Sequence, residues 1–130
     1  MKNITIVIPL YNEEKRLKKL FTNISNFNSN KKIEFIFIDD GSKDNTFYKI
    51  EFFIKKIRNR NKKFILVKSN KNLGKGGALK LGVSRATNNW IFTMDADLSV
   101  NFNQINIWIK KYTFNNNYAY FGSRNHISSN

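Results

Sequence analysis

Two hydrophobic patterns alternate along this chain. Short, predominantly apolar runs, several rich in β-branched residues, read as strands buried on both faces. They are Ile4 to Pro9, Ile33 to Ile38, Phe64 to Val67, Trp90 to Met94 and Tyr118 to Phe121. Between them, apolar residues recur at the spacing of one buried helix face. Leu17, Leu20, Phe21, Ile24 and Phe27 form the first such face, and Phe47, Ile50, Phe53, Ile54 and Ile57 the second. A third helix is expected from about Lys75 to Ala86 with Leu79, Val83 and Ala86 inward, and a fourth carries Phe102, Ile105, Trp108, Ile109 and Tyr112. This order predicts an α/β fold: a mainly parallel, doubly wound sheet with helices on both faces. No repeat or linker interrupts the 130 residues, which read as one domain. Ligands of such sheets bind beyond the carboxyl ends of the strands, so function is sought in those loops.

The acidic residues fall in the same loops. Glu13 and Glu14 follow the first strand, Asp39, Asp40 and Asp44 the second, and Asp95 and Asp97 the fourth; of the 9 acids only Glu34 and Glu51 lie elsewhere. Gathering like charges on one rim costs stability unless a cation is recruited. Helix capping is the competing explanation, and Asp44 or Asn45 suits the start of the second helix. Asp95-Ala96-Asp97 is the sharpest motif. Asp-x-Asp alone is a common chance pattern, but at the end of a buried strand it offers oxygens to one hard cation, Mg²⁺ or Mn²⁺.

The third loop carries the opposite charge. Asn72-Leu73-Gly74-Lys75-Gly76-Gly77 opens a helix. Its glycines permit close backbone approach, the helix N-terminus favours an anion, and Lys75 adds a mobile cation. The spacing is not that of a Walker loop, and a dinucleotide fingerprint belongs after the first strand. Acids suited to a metal and a loop suited to phosphates together imply a nucleoside-diphosphate ligand.

Composition adds less. Lys and Arg number 23 against 9 acids, a formal net charge of +14, which first suggests nucleic acid or an anionic membrane. Lys, Asn, Ile and Phe, all encoded by A/T-rich codons, fill over half the chain, so part of that charge is explained by base composition. A hydrophobic content of 41% excludes disorder. Absence of cysteine excludes disulfides, zinc–thiolate sites and thiol nucleophiles. No apolar run approaches the ~18 residues of a membrane span. The first residues read as a strand rather than a signal peptide, lacking a small-residue cleavage site.

Five segments in order resemble family 2 glycosyltransferases of the GT-A fold: Val7 to Glu14 (VIPLYNEE), Ile38 to Thr46 (IDDGSKDNT), Asn72 to Leu79 (NLGKGGAL), Met94 to Ser99 (MDADLS) and Phe121 to Arg124 (FGSR). Within that family the likeness is to dolichyl- or polyprenyl-phosphate sugar transferases. Gly-Lys-Gly-Gly and Asp-Ala-Asp-Leu-Ser resemble the β-glucosyltransferase branch more than the mannosyl branch, which usually carries Gln where Ser99 stands. The resemblance implies a nucleotide-sugar site formed by Pro9, Tyr11, Glu13, Ile38, Asp40, Lys75, Asp95, Ala96, Asp97 and Arg124. Pro9, Tyr11 and Glu13 are expected against base and ribose, with Asp40 reading the base. Asp95 and Asp97, the catalytic pair, flank the donor diphosphate and hold the metal, Asp97 foremost, while Lys75 and Arg124 meet phosphates. The implied donor is UDP-glucose, or else GDP-mannose; the implied acceptor is a lipid phosphate. The implied place is the cytoplasmic face of a membrane, with peripheral contact and no nucleic acid.

The implied reaction is an inverting displacement at the anomeric carbon. An alcohol acceptor would need a carboxylate base after the metal motif, and residues 98–130 contain no Asp or Glu. A phosphate acceptor is already anionic and needs none. Alternatively the chain is an N-terminal fragment, truncated on its acceptor side, whose base lies beyond it and which acts on a sugar or polysaccharide hydroxyl; truncation is the expectation. A nucleic-acid-binding module is the rival from another class. It is disfavoured because no stretch interleaves aromatic and basic residues as an RNA-binding signature does, and the rim acids would repel phosphate. A receiver domain would place its Asp pair after the first strand. A sugar-nucleotide pyrophosphorylase would place a Gly-rich, Arg-containing loop where Leu10-Tyr11-Asn12-Glu13 stands.

Overall fold

A computed structural model describes residues 3–111. Strands and helices alternate: β1 (Ile4–Leu10), α1 (Leu17–Asn26), β2 (Ile33–Asp39), α2 (Thr46–Lys56), β3 (Lys62–Lys68), α3 (Gly74–Arg85), β4 (Trp90–Thr93) and α4 (Phe102–Lys111). The four strands form one parallel sheet in the order β3-β2-β1-β4. The expected fifth strand, Tyr118 to Phe121, and Tyr112 lie outside the described residues.

The register explains why the central strands read as continuous apolar runs. Ile4 to Leu10 pairs with Ile33 to Asp39 on one side, and Ile4 to Val7 with Trp90 to Thr93 on the other. Both faces are covered, so every second residue points into one of two cores. Ile4, Ile6, Ile8, Phe35 and Phe37 pack with Leu17, Leu20 and Ile24 of α1, Ile50 of α2, and Phe102 and Ile105 of α4. Phe35 is the centre of this layer, with ring centroids 5.4 Å from Phe64 and 5.8 Å from Phe102. A fully buried side chain of that size contributes roughly 1.5–3 kcal/mol. On the opposite face Val7, Ile36 and Ile38 pack against Ala78 of α3.

One inward face differs from the spacing argument. Val83 was expected inside α3 but is 44% exposed, while Ala78 and Gly82 are buried. A Cβ on Gly82 would overlap Cγ1 of Val7 and lie 3.2 Å from Cγ1 of Ile38. The helix therefore approaches the sheet along its smallest residues, and the bulkier Val83 turns outward. In α2 only Thr46 and Ile50 are buried, while Phe53 and Ile54 are partly buried against the core.

Candidate functional site

The chain runs from β1 outward through β2 to β3, then returns to add β4 on the far side of β1. This reversal opens a crevice beyond the carboxyl ends of β1 and β4, the usual ligand position in an open parallel sheet. A cleft of about 340 Å³ lies there. Its walls are Pro9 near the end of β1, Tyr11 and Glu13 after β1, Asp40 after β2, Lys75 at the start of α3, and Asp95 to Asp97 after β4.

Three loops are tied to one another before any ligand arrives. The Glu13 N–H donates to Thr46 Oγ1 at 2.9 Å and the Glu14 N–H to Asp44 Oδ2 at 3.3 Å. The Asn12 N–H donates to Ser42 Oγ at 2.9 Å, and Asn12 Oδ1 accepts from the Lys43 N–H at 2.8 Å. Asn12 takes a left-handed backbone (φ 51°), a conformation Asn tolerates better than most residues. Asp44 thus settles the choice left open at α2. Its Oδ1 accepts the Thr46 N–H at 3.0 Å, whereas Asn45 makes no side-chain cap bond. Partial burial works against ionisation of Asp44, but bonds from the Thr46 hydroxyl, the Thr46 N–H and the Glu14 N–H outweigh it and hold the carboxyl below its ordinary range.

The β2 loop is tied to the β3–α3 loop in the same way. Asp40 Oδ1 accepts the Leu73 N–H at 2.8 Å, and the Asp39 carbonyl accepts the Ser69 N–H at 2.9 Å. Gly41, at φ 77°, lies so close to the Lys71–Asn72 backbone that a Cβ would come within 2.9 Å of it. Only glycine suits both the conformation and the approach.

At the cleft itself, Lys75 Nζ lies 2.7 Å from Asp95 Oδ1. Asp97 Oδ1 accepts the Ser99 N–H at 2.9 Å, and Leu98 between them is left-handed at φ 57°. That conformation costs a non-glycine residue roughly 1–2 kcal/mol, a strain held at the turn that presents both carboxylates. Among the described residues no set of three His, Cys, Asp or Glu side chains converges on an ion. Two neighbouring cleft carboxylates nevertheless fit Mg²⁺ or Mn²⁺, which take one or two carboxylates and complete their shell with phosphate oxygens and water.

Of the residues expected at the site, Pro9, Tyr11, Glu13, Asp40, Lys75, Asp95, Ala96 and Asp97 all line the cleft. Ile38 does not line the cleft: it is the strand partner of Pro9, but its side chain is fully buried beneath α3 in the core that contains Ala78. Arg124 lies outside the described residues. The sequence reading missed Arg16, which lines the cleft with its Nε 3.6 Å from Glu13 Oε2. The Glu13-x-x-Arg16 spacing was the available signal.

The arrangement is a polar cleft beyond the carboxyl ends of a parallel α/β sheet. The chain belongs to glycosyl transferase family 2, whose sequence model matches residues 5–130, and is a glycosyltransferase domain. It is 31% identical over 134 aligned residues to a dolichyl-phosphate β-glucosyltransferase of Dictyostelium discoideum, covering 95% of this chain and 40% of that protein. The fold matches that of S. aureus TarS, solved as residues 1–349, with a TM-score of 0.68 and 20% identity, over 85% of this chain and 32% of that one. TarS has also been solved with UDP-GlcNAc. A mannosyltransferase from Pyrobaculum calidifontis, in complex with GDP-mannose and Mn²⁺, matches with a TM-score of 0.63 and 25% identity, over 72% of this chain and 27% of that one. The chain therefore spans well under half the length of these proteins. No helix among the described residues is long and apolar enough to cross a membrane.

Proposed function

We propose that this chain is the donor-binding part of an inverting glycosyltransferase that moves glucose from UDP-glucose to a dolichyl or polyprenyl phosphate, assisted by Mg²⁺ or Mn²⁺. The observation that carries this reading is the pairing of Asp95 with Lys75 at the cleft, which Asp97 and Asp40 also line. Carboxylates for a cation and an ammonium for phosphate face one space, as a metal–diphosphate ligand requires. The likeness to a dolichyl-phosphate β-glucosyltransferase favours glucose and a lipid-phosphate acceptor. GDP-mannose is the second donor to test, on the likeness to the archaeal mannosyltransferase.

In this reading Tyr11, Pro9 and Glu13 lie against base and ribose. Asp40 accepts from the base with the oxygen that Leu73 does not use. Asp95 and Asp97 would hold the metal, which supplies charge neutralisation at the diphosphate. Lys75 offsets the charge that grows on the departing phosphate, aided by the positive end of α3, and Arg124 is a further phosphate contact. The acceptor oxygen attacks the anomeric carbon from the face opposite the diphosphate. The bond from that carbon to the phosphate oxygen breaks, and the nucleoside diphosphate leaves with the electron pair. A phosphate acceptor is ionised at neutral pH and needs no base. The reaction is assigned to the cytoplasmic face of a membrane, where the lipid acceptor resides.

Calorimetry with Mn²⁺ and a panel of UDP- and GDP-sugars tests this. UDP-glucose should bind in a metal-dependent manner, and Asp97→Ala should abolish that dependence. Unchanged affinity in the variant would remove the metal assignment, and no binding of any nucleotide sugar would remove the donor assignment.

A further inference from the structure

Lys75 stands where a cation is wanted. Its Nζ is 2.7 Å from Asp95 Oδ1, although the two side chains are 64% and 42% exposed. At such exposure an ion pair adds little to stability, because water screens both charges. Its effect on what else can bind Asp95 is larger. A divalent cation and an ammonium cannot share one carboxylate oxygen without strong repulsion. The lysine stem starts from a pinned position: the Leu73 N–H is held by Asp40 and the Gly74 N–H by Asn72 Oδ1 at 2.9 Å, so the start of α3 stays in place while the long side chain moves.

We propose that Lys75 is a built-in placeholder for the metal, which makes cation binding conditional on the diphosphate. With the cleft empty, the ammonium neutralises Asp95 and a free divalent ion must displace it into water. A nucleoside diphosphate gives Lys75 a new anionic partner, frees Asp95, and brings oxygens that complete the metal's shell. Metal and nucleotide then bind with positive coupling, and each raises the affinity of the other by the same factor. The proposal rests on the reading that Asp95 and Asp97 hold the metal, and it adds a role for Lys75 before the donor is bound.

Mn²⁺ titration followed by electron paramagnetic resonance, with and without UDP, tests it on the wild-type protein, Lys75→Met and Lys75→Arg. Lys75 is exposed, so both variants should retain the wild-type melting temperature. Lys75→Met should bind Mn²⁺ alone about three- to tenfold more tightly than wild type, the scale expected from removing an adjacent like charge. Lys75→Arg should remain as weak as wild type. UDP should tighten Mn²⁺ binding less in Lys75→Met than in wild type. If wild type binds Mn²⁺ in the presence of UDP but Lys75→Met binds Mn²⁺ alone no more tightly than wild type does, the placeholder role is overturned while the metal site stands. If wild type fails to bind Mn²⁺ even with UDP, the metal reading fails and the placeholder role fails with it.

Discussion

The Asp40 carboxylate accepts the backbone N–H of Leu73 at 2.8 Å and so ties the end of β2 to the turn that opens α3. Asp40 is only 4% exposed, and the chain between these residues includes the whole of α2 and β3. One side chain therefore both lines the cleft and sets the position of the loop carrying Lys75.

Asp40→Ala should lower stability by about 1–3 kcal/mol, the scale of a hydrogen bond to a charged group such as this largely buried carboxylate. It should also weaken UDP binding. Asp40→Asn keeps an acceptor oxygen for Leu73 and should recover most of the stability. Thermal melts beside UDP titrations separate the two roles. A melting temperature unchanged in Asp40→Ala would show that the Leu73 bond does not hold the loop.

The glycines of α3 should respond in opposite directions. Alanine in a helix interior gains about 1 kcal/mol over glycine from propensity alone. At Gly76 no neighbour lies within 4 Å of an added Cβ, so Gly76→Ala should raise the melting temperature. At Gly82 the added Cβ meets Val7 and Ile38, and overpacking of roughly 1–3 kcal/mol should outweigh the gain. Gly82→Ala should melt lower and Gly82→Val lower still. A stabilised Gly82→Ala would mean that α3 stands farther from the sheet.

Glu34 ties the amino ends of the strands together and makes stability depend on pH. It is 3% exposed and accepts from Thr5 Oγ1 at 2.8 Å, the Thr87 N–H at 2.9 Å and Thr87 Oγ1 at 2.7 Å, with Lys63 Nζ at 3.7 Å. Burial alone would raise its pKa, but the Thr87 and Thr5 bonds and the Lys63 charge outweigh it and hold the carboxyl below the ordinary value of 4.5. The folded state thus favours the ionised form. Its contribution is complete above the unfolded pKa and is lost as pH falls through the folded one. Urea midpoints should fall as the solution is taken from about pH 6 to about pH 3, and the fall should be shallower in Glu34→Gln. An identical slope in that variant would assign the acid sensitivity to other carboxylates, Asp44 first.

The likeness between expectation and structure is strongest where a signal is local. Ile4 to Leu10 and Ile33 to Asp39 carry apolar residues on both faces because helices cover both, and such a run is visible without coordinates. Asp95 and Asp97 were placed at a strand end by the apolar run before them. Ile38 shows the limit: it adjoins the Asp-Asp motif in sequence and is the strand partner of Pro9, but it lies below the rim, where α3 packs over its side chain. Val83 shows another. Helical spacing permits several neighbouring stripes, and only the closeness of α3 to Val7 and Ile38 selects the one with Gly82.

The order of apolar runs and helical periods, with acids and glycines gathered at the strand ends, determined the fold class and the rim on which the cleft lies. Those features are written in neighbouring residues, because alternation and periodicity are local properties of a backbone. Only the tertiary structure decided which rim groups meet. Lys75 reaches Asp95, Asp40 holds Leu73, and Thr46 holds Glu13 because parallel crossovers bring together loops from distant parts of the chain. Burial against a particular neighbour, rather than spacing, then turns a set of charges into a cleft whose own lysine pairs with one of its carboxylates.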